Sequence, residues 1–497
     1  MRITNQMMTN SMLSHINSNK LNMNTLENQY STGKKILKPS DDPIVAVRAL
    51  KLRSNLTELS QYVEKNIPDA ESWMSVTESA MDNINSIITK MNTYCVQGSS
   101  DTLTEKDRTN ILQNLVQLKE QIYQEGNSQY AGRYVFTGYK TDTPLIFTSG
   151  TTYDCRTAFQ GYQIKEEFTG EDISLVSMVK IPSNTSEVPS TTQASRLQLS
   201  YDSLYTKTTT DASGNEVLTS ATTSLSCTVG GSNVTIPVTK TMNSSDTDAY
   251  EPSGSEVYVL ADTGEIILGS DVADQLSKAT SISVNYEKNT FVTSDLKPEH
   301  FFECNFVDHE GNAIKYEQNT QDITYEVNFG QTLKVNTEAK DCITHNIDRL
   351  IDDITNAVNR VNDIEKQMSE INQKLSVAGI TSDKKAELEA QLEQCNMALS
   401  LGKSIMQETF AGAITTTQGF EDTMNVQIAD LGARFNRLEL TKDRLENQQV
   451  ELEELKSSNE DVDLVETVIR YKSAEAIYTS SLQAASSVIK TNLLNFL

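Results

Sequence analysis

Residues Ser31-Thr32-Gly33-Lys34-Lys35-Ile36-Leu37-Lys38-Pro39-Ser40-Asp41-Asp42-Pro43 end one helical stretch and start another. Gly33 offers a left-handed stop, and Pro39 drives Lys38 out of helical geometry. Asp42 before Pro43 puts a carboxylate at an N-cap and proline at the first helical position. Upstream, Met8, Met12, Ile16, Met23, Leu26 and Tyr30 recur on one helical face, which predicts an amphipathic helix over residues 1–31. Downstream, Val47, Leu50, Leu52, Leu56, Leu59 and Val63 predict a helix from Pro43 to Gln97 that Pro68 interrupts or kinks. Gly98-Ser99-Ser100-Asp101 is a turn, and Ile111, Leu115, Leu118 and Ile122 mark a further helix over Thr104–Asn127.

The opposite end of the chain repeats the pattern more strongly. Leu464, Val468, Tyr471, Tyr478, Leu482, Ala485, Ile489 and Phe496 fall on one face of a helix. An apolar stripe needs a cover. Two such helices at opposite termini pair with each other, with copies of themselves, or both. That is the build of a polymerising subunit.

Between the ends the character changes. Tyr134-Val135-Phe136 and Leu145-Ile146-Phe147 read as strands, and residues 148–335 are rich in Thr, Ser, Val and Gly. Hairpin turns are expected at Ser213-Gly214-Asn215, Gly230-Gly231-Ser232-Asn233, Asp262-Thr263-Gly264 and Glu310-Gly311-Asn312. Ile282/Val284/Tyr286 and Tyr325/Val327/Phe329 alternate with polar residues as half-buried strands do. Helix returns near Ala339, with a long stripe from Ile343 through Ile347, Leu350, Ile354, Val358, Val361, Ile364, Met368 and Ile371 to Leu375. A turn at Ala378-Gly379-Ile380-Thr381-Ser382-Asp383 folds the chain back through Leu388, Leu392, Cys395 and Leu399 as an antiparallel hairpin. A separate helix over Phe420–Leu455 follows, and Ser457-Ser458-Asn459-Glu460-Asp461 breaks it from the terminal helix.

The fold class is therefore multidomain α+β. A discontinuous helical bundle or coiled coil is formed by N- and C-terminal segments, with an inserted all-β region. The expected partition is a terminal core of 1–43 and 460–497, a helical bundle of 44–145 and 336–459, and an insertion of 146–335 in one or two β domains.

Composition limits the partners. The chain has 68 acidic against 42 basic residues in 497, a formal charge of −26. Such a surface repels phosphate backbones and anionic lipid, so neither nucleic acid nor membrane insertion is expected. The N-terminal residues lack the apolar run of a cleavable signal peptide, and no stretch is long enough to span a bilayer. The six cysteines, Cys95, Cys155, Cys227, Cys304, Cys342 and Cys395, form no CxxC pair and read as isolated free thiols.

Catalytic signatures are missing. There is no Walker loop, dinucleotide glycine fingerprint, HExxH or nucleophile elbow. His300, Cys304 and His309, with Asp308 and Glu310, match no zinc spacing and read as solvated strand and turn residues. Lys34, Lys35 and Lys38 read as a solvated turn beside Asp41 and Asp42. No enzyme, metal or cofactor is expected.

Three groups of residues carry a family resemblance. Met1-Arg2-Ile3-Thr4-Asn5-Gln6-Met7-Met8, Ser31-Thr32-Gly33-Lys34-Lys35-Ile36 and Lys38-Pro39-Ser40-Asp41-Asp42-Pro43 form the first. Gly132-Arg133-Tyr134-Val135-Phe136-Thr137-Gly138 with Thr141-Asp142-Thr143-Pro144 is the second, and Leu431-Gly432-Ala433-Arg434-Phe435-Asn436-Arg437-Leu438 the third. Together they resemble the flagellar hook-associated protein 3 (FlgL) family, the hook–filament junction branch of the flagellin superfamily, over residues 1–145 and 420–497. Flagellins typically have small residues where this chain has Pro43. The large insertion and the long 365–405 hairpin depart from the family pattern.

The resemblance implies a structural subunit, exported unfolded through the flagellar type III apparatus without a cleaved signal and placed extracellularly in the bacterial flagellum. Its terminal helices would pack coaxially with copies of itself in a ring, and with hook-associated protein 1 and flagellin. A flagellar export chaperone would hold the C-terminal helix beforehand. The assembly residues would be the two apolar stripes, and the linker motif Gly33, Pro39, Ser40, Asp41, Asp42 and Pro43. The alternatives are a flagellin filament subunit, a surface binding or enzymatic function in 148–335, and a coiled-coil adhesin or phage tail component.

Overall fold

The structure, a computed structural model, describes residues 5–100, 103–152, 161–181, 188–210, 216–220, 223–229, 232–246, 248–307, 313–376 and 381–494. The turns expected at Ser213-Gly214-Asn215, Gly230-Gly231, Glu310-Gly311-Asn312 and Ala378-Gly379-Ile380 lie outside the described residues. The helices are α1 (Asn5–Thr32), α2 (Pro43–Gln61), α3 (Ile67–Gly98), α4 (Glu105–Glu125), α5 (Ser270–Leu276), α6 (Ala339–Cys342), α7 (Asn346–Leu375), α8 (Ser382–Glu460) and α9 (Leu464–Leu494).

Two compact units emerge. The first comprises Met1–Ala70, Tyr325–Leu333 and Asn436–Leu497, and the second Glu71–Thr324 and Lys334–Phe435. In the first unit α1 and α9 run antiparallel. Tyr30 stacks on Tyr471 with ring centroids 6.4 Å apart, and further along Asn19 donates to Ser481 Oγ at 3.0 Å. In the same unit Ala46, Ala49 and Leu59 of α2 and Leu438 and Leu445 of α8 are buried.

In the second unit, α3, α4, α7 and α8 bury Trp73, Met81, Leu115, Ile122, Ile354, Val358, Val361 and Phe410. The return of α8 onto α7 follows the expected hairpin: Ile364, Ile371, Leu388, Cys395 and Ala398 share one cluster with Met368, Leu375, Leu392 and Leu399. Two sheets stand beside these helices. The first has six antiparallel strands in the order Ser232–Ile236, Ser224–Val229, Ser281–Lys288, Tyr162–Phe168, Glu303–Val307, Ala313–Tyr316. The second has the order Lys240–Met242, Val257–Leu260, Glu265–Leu268, Ser190–Gln198, Ser174–Lys180, with its first pair parallel.

Their inner faces share one core. Ile164, Leu225, Ile282, Val284 and Tyr286 of the first sheet cluster with Leu197, Val257, Val259, Ile266 and Leu268 of the second. Ile282, Val284 and Tyr286 are all buried on alternate positions, as their spacing requires. Asp262-Thr263-Gly264 forms the expected turn, where Gly264 has φ +68° and a Cβ would meet Tyr201 O at 2.1 Å.

Several local expectations are corrected. The Pro43–Gln97 stretch is interrupted not at Pro68 itself but in the turn before it, where Tyr62–Asn66 widen into a π-helical turn. Proline lacks an N–H and its ring crowds the carbonyl four residues earlier, so the wider turn makes room for it. Of Tyr134-Val135-Phe136 only Tyr134 lies in a strand (Arg133–Tyr134), and of Leu145-Ile146-Phe147 only Ile146 makes a bridge, to Leu296. Val135, Phe136, Leu145, Ile146 and Phe147 are nonetheless buried. Apolar runs report burial and not pairing: positive φ at Ala131 and Gly132 closes a two-residue hairpin that ends at Tyr134, and Gly138 turns the chain again beyond it.

The insertion is β-rich, as expected, and carries one short helix, α5, which packs Val272, Ala273 and Leu276 into the sheet core. The two helices expected over 382–399 and 420–455 are one continuous helix of 79 residues. A Cβ at Gly402 inside it would lie 3.5 Å from Ile364 and Val361, so packing on α7 offsets the weak helix propensity of glycine there. Helix α8 also runs through Ser457-Ser458-Asn459-Glu460, and the break falls at Asp461–Asp463. Phe329 is not half-buried but 82 % exposed, since its strand ends at Asn328 and Phe329-Gly330 form the hairpin turn, with Gly330 at φ +65°.

Candidate assembly surface and linker clasp

Helices α1 and α9 pair, yet they make almost no interior. Among the side chains described, α1 has none buried and α9 has only Thr467. Met12, Ile16, Met23 and Leu26 of the predicted stripe are half-buried against α9, as are Val468, Tyr471, Tyr478 and Ala485 against α1. Met8, Tyr30, Leu464 and Leu482 are exposed, the Ile489 side chain and Phe496 lie outside the described residues, and the polar Glu475 is half-buried in the seam.

A second set of apolar residues, absent from the predicted stripe, faces outward. Met7, Leu13 and Leu21 on α1 and Val465, Ile469 and Ile477 on α9 are exposed, Leu21 to 67 % and Ile469 to 61 %. The sequence signal was present, since these residues lie off the counted stripe, on helix faces that one partner helix cannot cover. An open hollow of about 470 Å³ between the two helices is lined by Leu26, Ile469, Ala474 and Ile477 with Asn22 and Ser473. The pair therefore presents uncovered apolar surface along its length.

The linker folds as its sequence requires. Gly33 takes φ +69° and its N–H donates to Gln29 O at 2.9 Å, closing α1. Asp41 Oδ2 accepts from Lys38 N at 2.9 Å and Leu37 N at 3.1 Å, which fixes the turn through Pro39 and Ser40. Asp42 Oδ1 accepts from Ile44 N at 3.0 Å and Val45 N at 3.1 Å, with Pro43 opening α2.

The linker is also clasped from the far end of the chain. Lys35 N donates to Glu460 O at 2.7 Å, Val462 N to Gly33 O at 3.0 Å, and Lys35 Nζ to Ser458 O at 2.5 Å. Lys34 pairs with Asp461, and with Glu460 at 3.6 Å, so it is engaged rather than a solvated turn residue. Glu460, with its side chain only 3 % exposed, takes both nitrogens of the Arg53 fork. Arg53 holds the Glu460 carboxyl below its usual range, and Lys34 does the same for Asp461. Sequence reading passed over Arg53 and Glu460. The available signal was the Lys34-Lys35 pair standing opposite Glu460-Asp461 at two chain breaks.

The other motif residues also carry structure. Arg133 stacks over Trp73 at 4.9 Å, and Gly138 adopts φ +60° beside Gln321, whose Oε1 accepts from Tyr139 N at 2.8 Å. Arg434 donates to Asn336 O at 2.8 Å and Thr337 Oγ1 at 3.1 Å, reading the backbone just before α6. Leu431 and Leu438 are buried.

No reactive constellation forms among the described residues. No three His, Cys, Asp or Glu side chains gather as metal donors there. Burial, with Lys140 and Lys297 nearby, pushes the His300 pKa down to about 3, and burial pushes Cys304 up to about 12. Asp308, His309 and Glu310 lie outside the described residues. Cys95, Cys227, Cys304, Cys342 and Cys395 are free and buried, and Cys155 lies outside. No described helix is long and apolar enough to cross a membrane.

Comparison with known proteins places two regions of the chain. Residues 3–141 match the bacterial flagellin N-terminal helical region, and residues 415–497 the bacterial flagellin C-terminal helical region. The flagellar hook-associated protein 3 of Salmonella typhimurium is 34 % identical over 143 residues, covering 29 % of this chain and 45 % of that protein. A flagellin of Clostridium tyrobutyricum is 28 % identical over 185 residues, covering 37 % and 46 %. The chain thus spans less than half the length of the curated relatives it matches. The crystal structure of Xanthomonas campestris FlgL aligns over 82 % of this chain and 99 % of that one, at 13 % identity and a TM-score of 0.31.

Proposed function

We propose that the chain, whose two ends match the bacterial flagellin N- and C-terminal helical regions, is a member of the flagellin superfamily and a structural subunit joining the flagellar hook to the flagellin filament. The single observation that carries this is the uncovered apolar surface of the α1–α9 pair. Helix pairs without an interior gain stability when neighbours cover them.

Charge supports the same reading. In a chain of formal charge −26, α1 carries one lysine against one glutamate, and α9 three cations against two carboxylates. Copies can therefore approach along these helices without the repulsion that the rest of the surface imposes.

On this reading residues 1–43 and 460–497 are the shared core, 44–145 and 336–459 a helical domain, and 146–335 the insertion. The partners are copies of itself in a ring, with hook-associated protein 1 on one side and flagellin on the other. A flagellar export chaperone covers the C-terminal helix before export, which proceeds without a cleaved signal to the cell exterior. The role is structural, not enzymatic.

The test is the double substitution Leu482→Asp with Ile489→Asp. It should abolish incorporation into flagella and chaperone binding, while emission of Trp73, buried in the second unit, stays unchanged. Normal incorporation of this variant overturns the assignment. Immunogold labelling should mark only the hook–filament boundary, and label along the whole filament would instead identify a filament subunit.

A further inference from the structure

Two outward helix faces in the first unit carry opposite charge. On α2, Ile44, Val47, Arg48 and Lys51 are exposed along one stripe, while Ala46 and Ala49 face inward. On α8, Glu439, Asp443, Glu446, Val450 and Glu453 are exposed at alternating steps of four and three, while Leu438, Thr441 and Leu445 face inward. Each stripe joins apolar contact area to charge of one sign.

We propose that the α2 stripe of one copy docks on the α8 stripe of the next. This rests on the reading that the chain assembles with copies of itself, and it names the faces that meet. A chain of net charge −26 repels its own copies except where a cationic face meets an anionic one. Arg48 and Lys51 supply the cations, and Asp443, Glu446 and Glu453 the carboxylates. Ile44, Val47 and Val450 supply apolar area that water otherwise covers.

The geometry of such a contact follows from its asymmetry. A two-fold contact of either stripe with itself would set like charges face to face. Contact between unlike stripes is head-to-tail, leaves one free stripe of each kind at the ends, and so closes a ring or continues as a helix.

The experiment uses the full chain in flagella of the source bacterium. A chain carrying both Lys51→Cys and Glu446→Cys should give a ladder of disulfide-linked multimers on mild oxidation, and each single substitution should give none. In parallel, Arg48→Glu with Lys51→Glu should lower incorporation by about ten-fold. Adding Asp443→Lys and Glu446→Lys to that chain should restore it to within about two-fold. All four positions are exposed, so the folded unit is kept.

Flagella that contain the double-cysteine chain but yield no ladder overturn the proposal, as does a cross-link to a different protein. Charge reversal without effect, or without rescue, overturns it too. If the unsubstituted chain is missing from flagella altogether, the functional reading fails and the proposal falls with it.

Discussion

Arg53 and Glu460 stand 407 positions apart in the chain and are joined by two parallel hydrogen bonds, Nε to Oε1 at 2.7 Å and Nη2 to Oε2 at 2.5 Å. The Arg53 side chain is 56 % exposed, whereas that of Glu460 is nearly buried. The middle of α2 is thereby tied to the end of α8, and the linker between α1 and α2 is trapped against the same point through Lys34 and Lys35.

Glu460→Gln keeps the shape of this clasp but removes its charge. Loss of the charge-assisted bonds should cost about 1–3 kcal/mol locally. Amide exchange of residues 30–45 and 455–465 should then accelerate by roughly ten- to a hundred-fold, with the second unit unaffected. Equal protection in the variant would mean that the ion pairs are ornamental.

The clasp should weaken at both extremes of pH. Glu460 and Asp461 have folded values below the usual 4.5 and 3.8, so their contribution is present above those values and lost as pH falls through the folded ones. Lys34 is raised above 10.5, chiefly by its bond to Asp461, so its contribution is complete below that value and lost as pH rises through the folded one. Exchange at the linker should be slowest between about pH 5 and 10 after correction for intrinsic rates.

Gly33→Ala tests the left-handed stop alone. A Cβ there meets nothing within 4 Å, so only the φ of +69° opposes it. The cost should be about 1 kcal/mol, and Gly33→Asn should recover most of it. Thermal unfolding followed by far-ultraviolet circular dichroism measures both.

In the second unit, Arg349 reaches from α7 to Glu166, 3.1 Å away and buried in the sheet core. Arg349→Met leaves that carboxylate without its cation and should cost about 3–5 kcal/mol, seen by calorimetry. Adding Glu166→Gln should return a large part of the loss. If the double variant is as unstable as the single one, packing rather than charge governs this contact.

Helix α1 and helix α9, 28 and 31 residues long, bury a single described side chain between them. In the dilute monomer their amides should exchange nearly as fast as in an unfolded chain, and become protected on assembly. Strong protection in the monomer would contradict the need for neighbours.

The legible parts were those where one residue decides. Gly33, Asp42 and Pro43 each perform the expected local task, and Ile282, Val284 and Tyr286 point inward as their alternation requires. Periodicity failed where packing overrides propensity. Gly402 sits inside α8 where that helix packs on Ile364 and Val361 of α7, and Gly412 follows within the same continuous helix, so two expected helices are one. The runs at Val135 and Leu145 announced burial but not backbone pairing. The Arg53–Glu460 pair was illegible for another reason: a carboxylate acquires its role from a partner 407 residues away, and no local pattern encodes that distance.

The face of α1 that meets water or α9 is unusually rich in sulfur, with Met7 and Met8 exposed and Met12 and Met23 half-buried. A thioether side chain is unbranched, polarizable and free to turn about three bonds. Such a surface conforms to neighbours of different relief without any change of backbone. On the proposed reading, in which the chain stands between two unlike proteins, the methionines of α1 let one helix fit both.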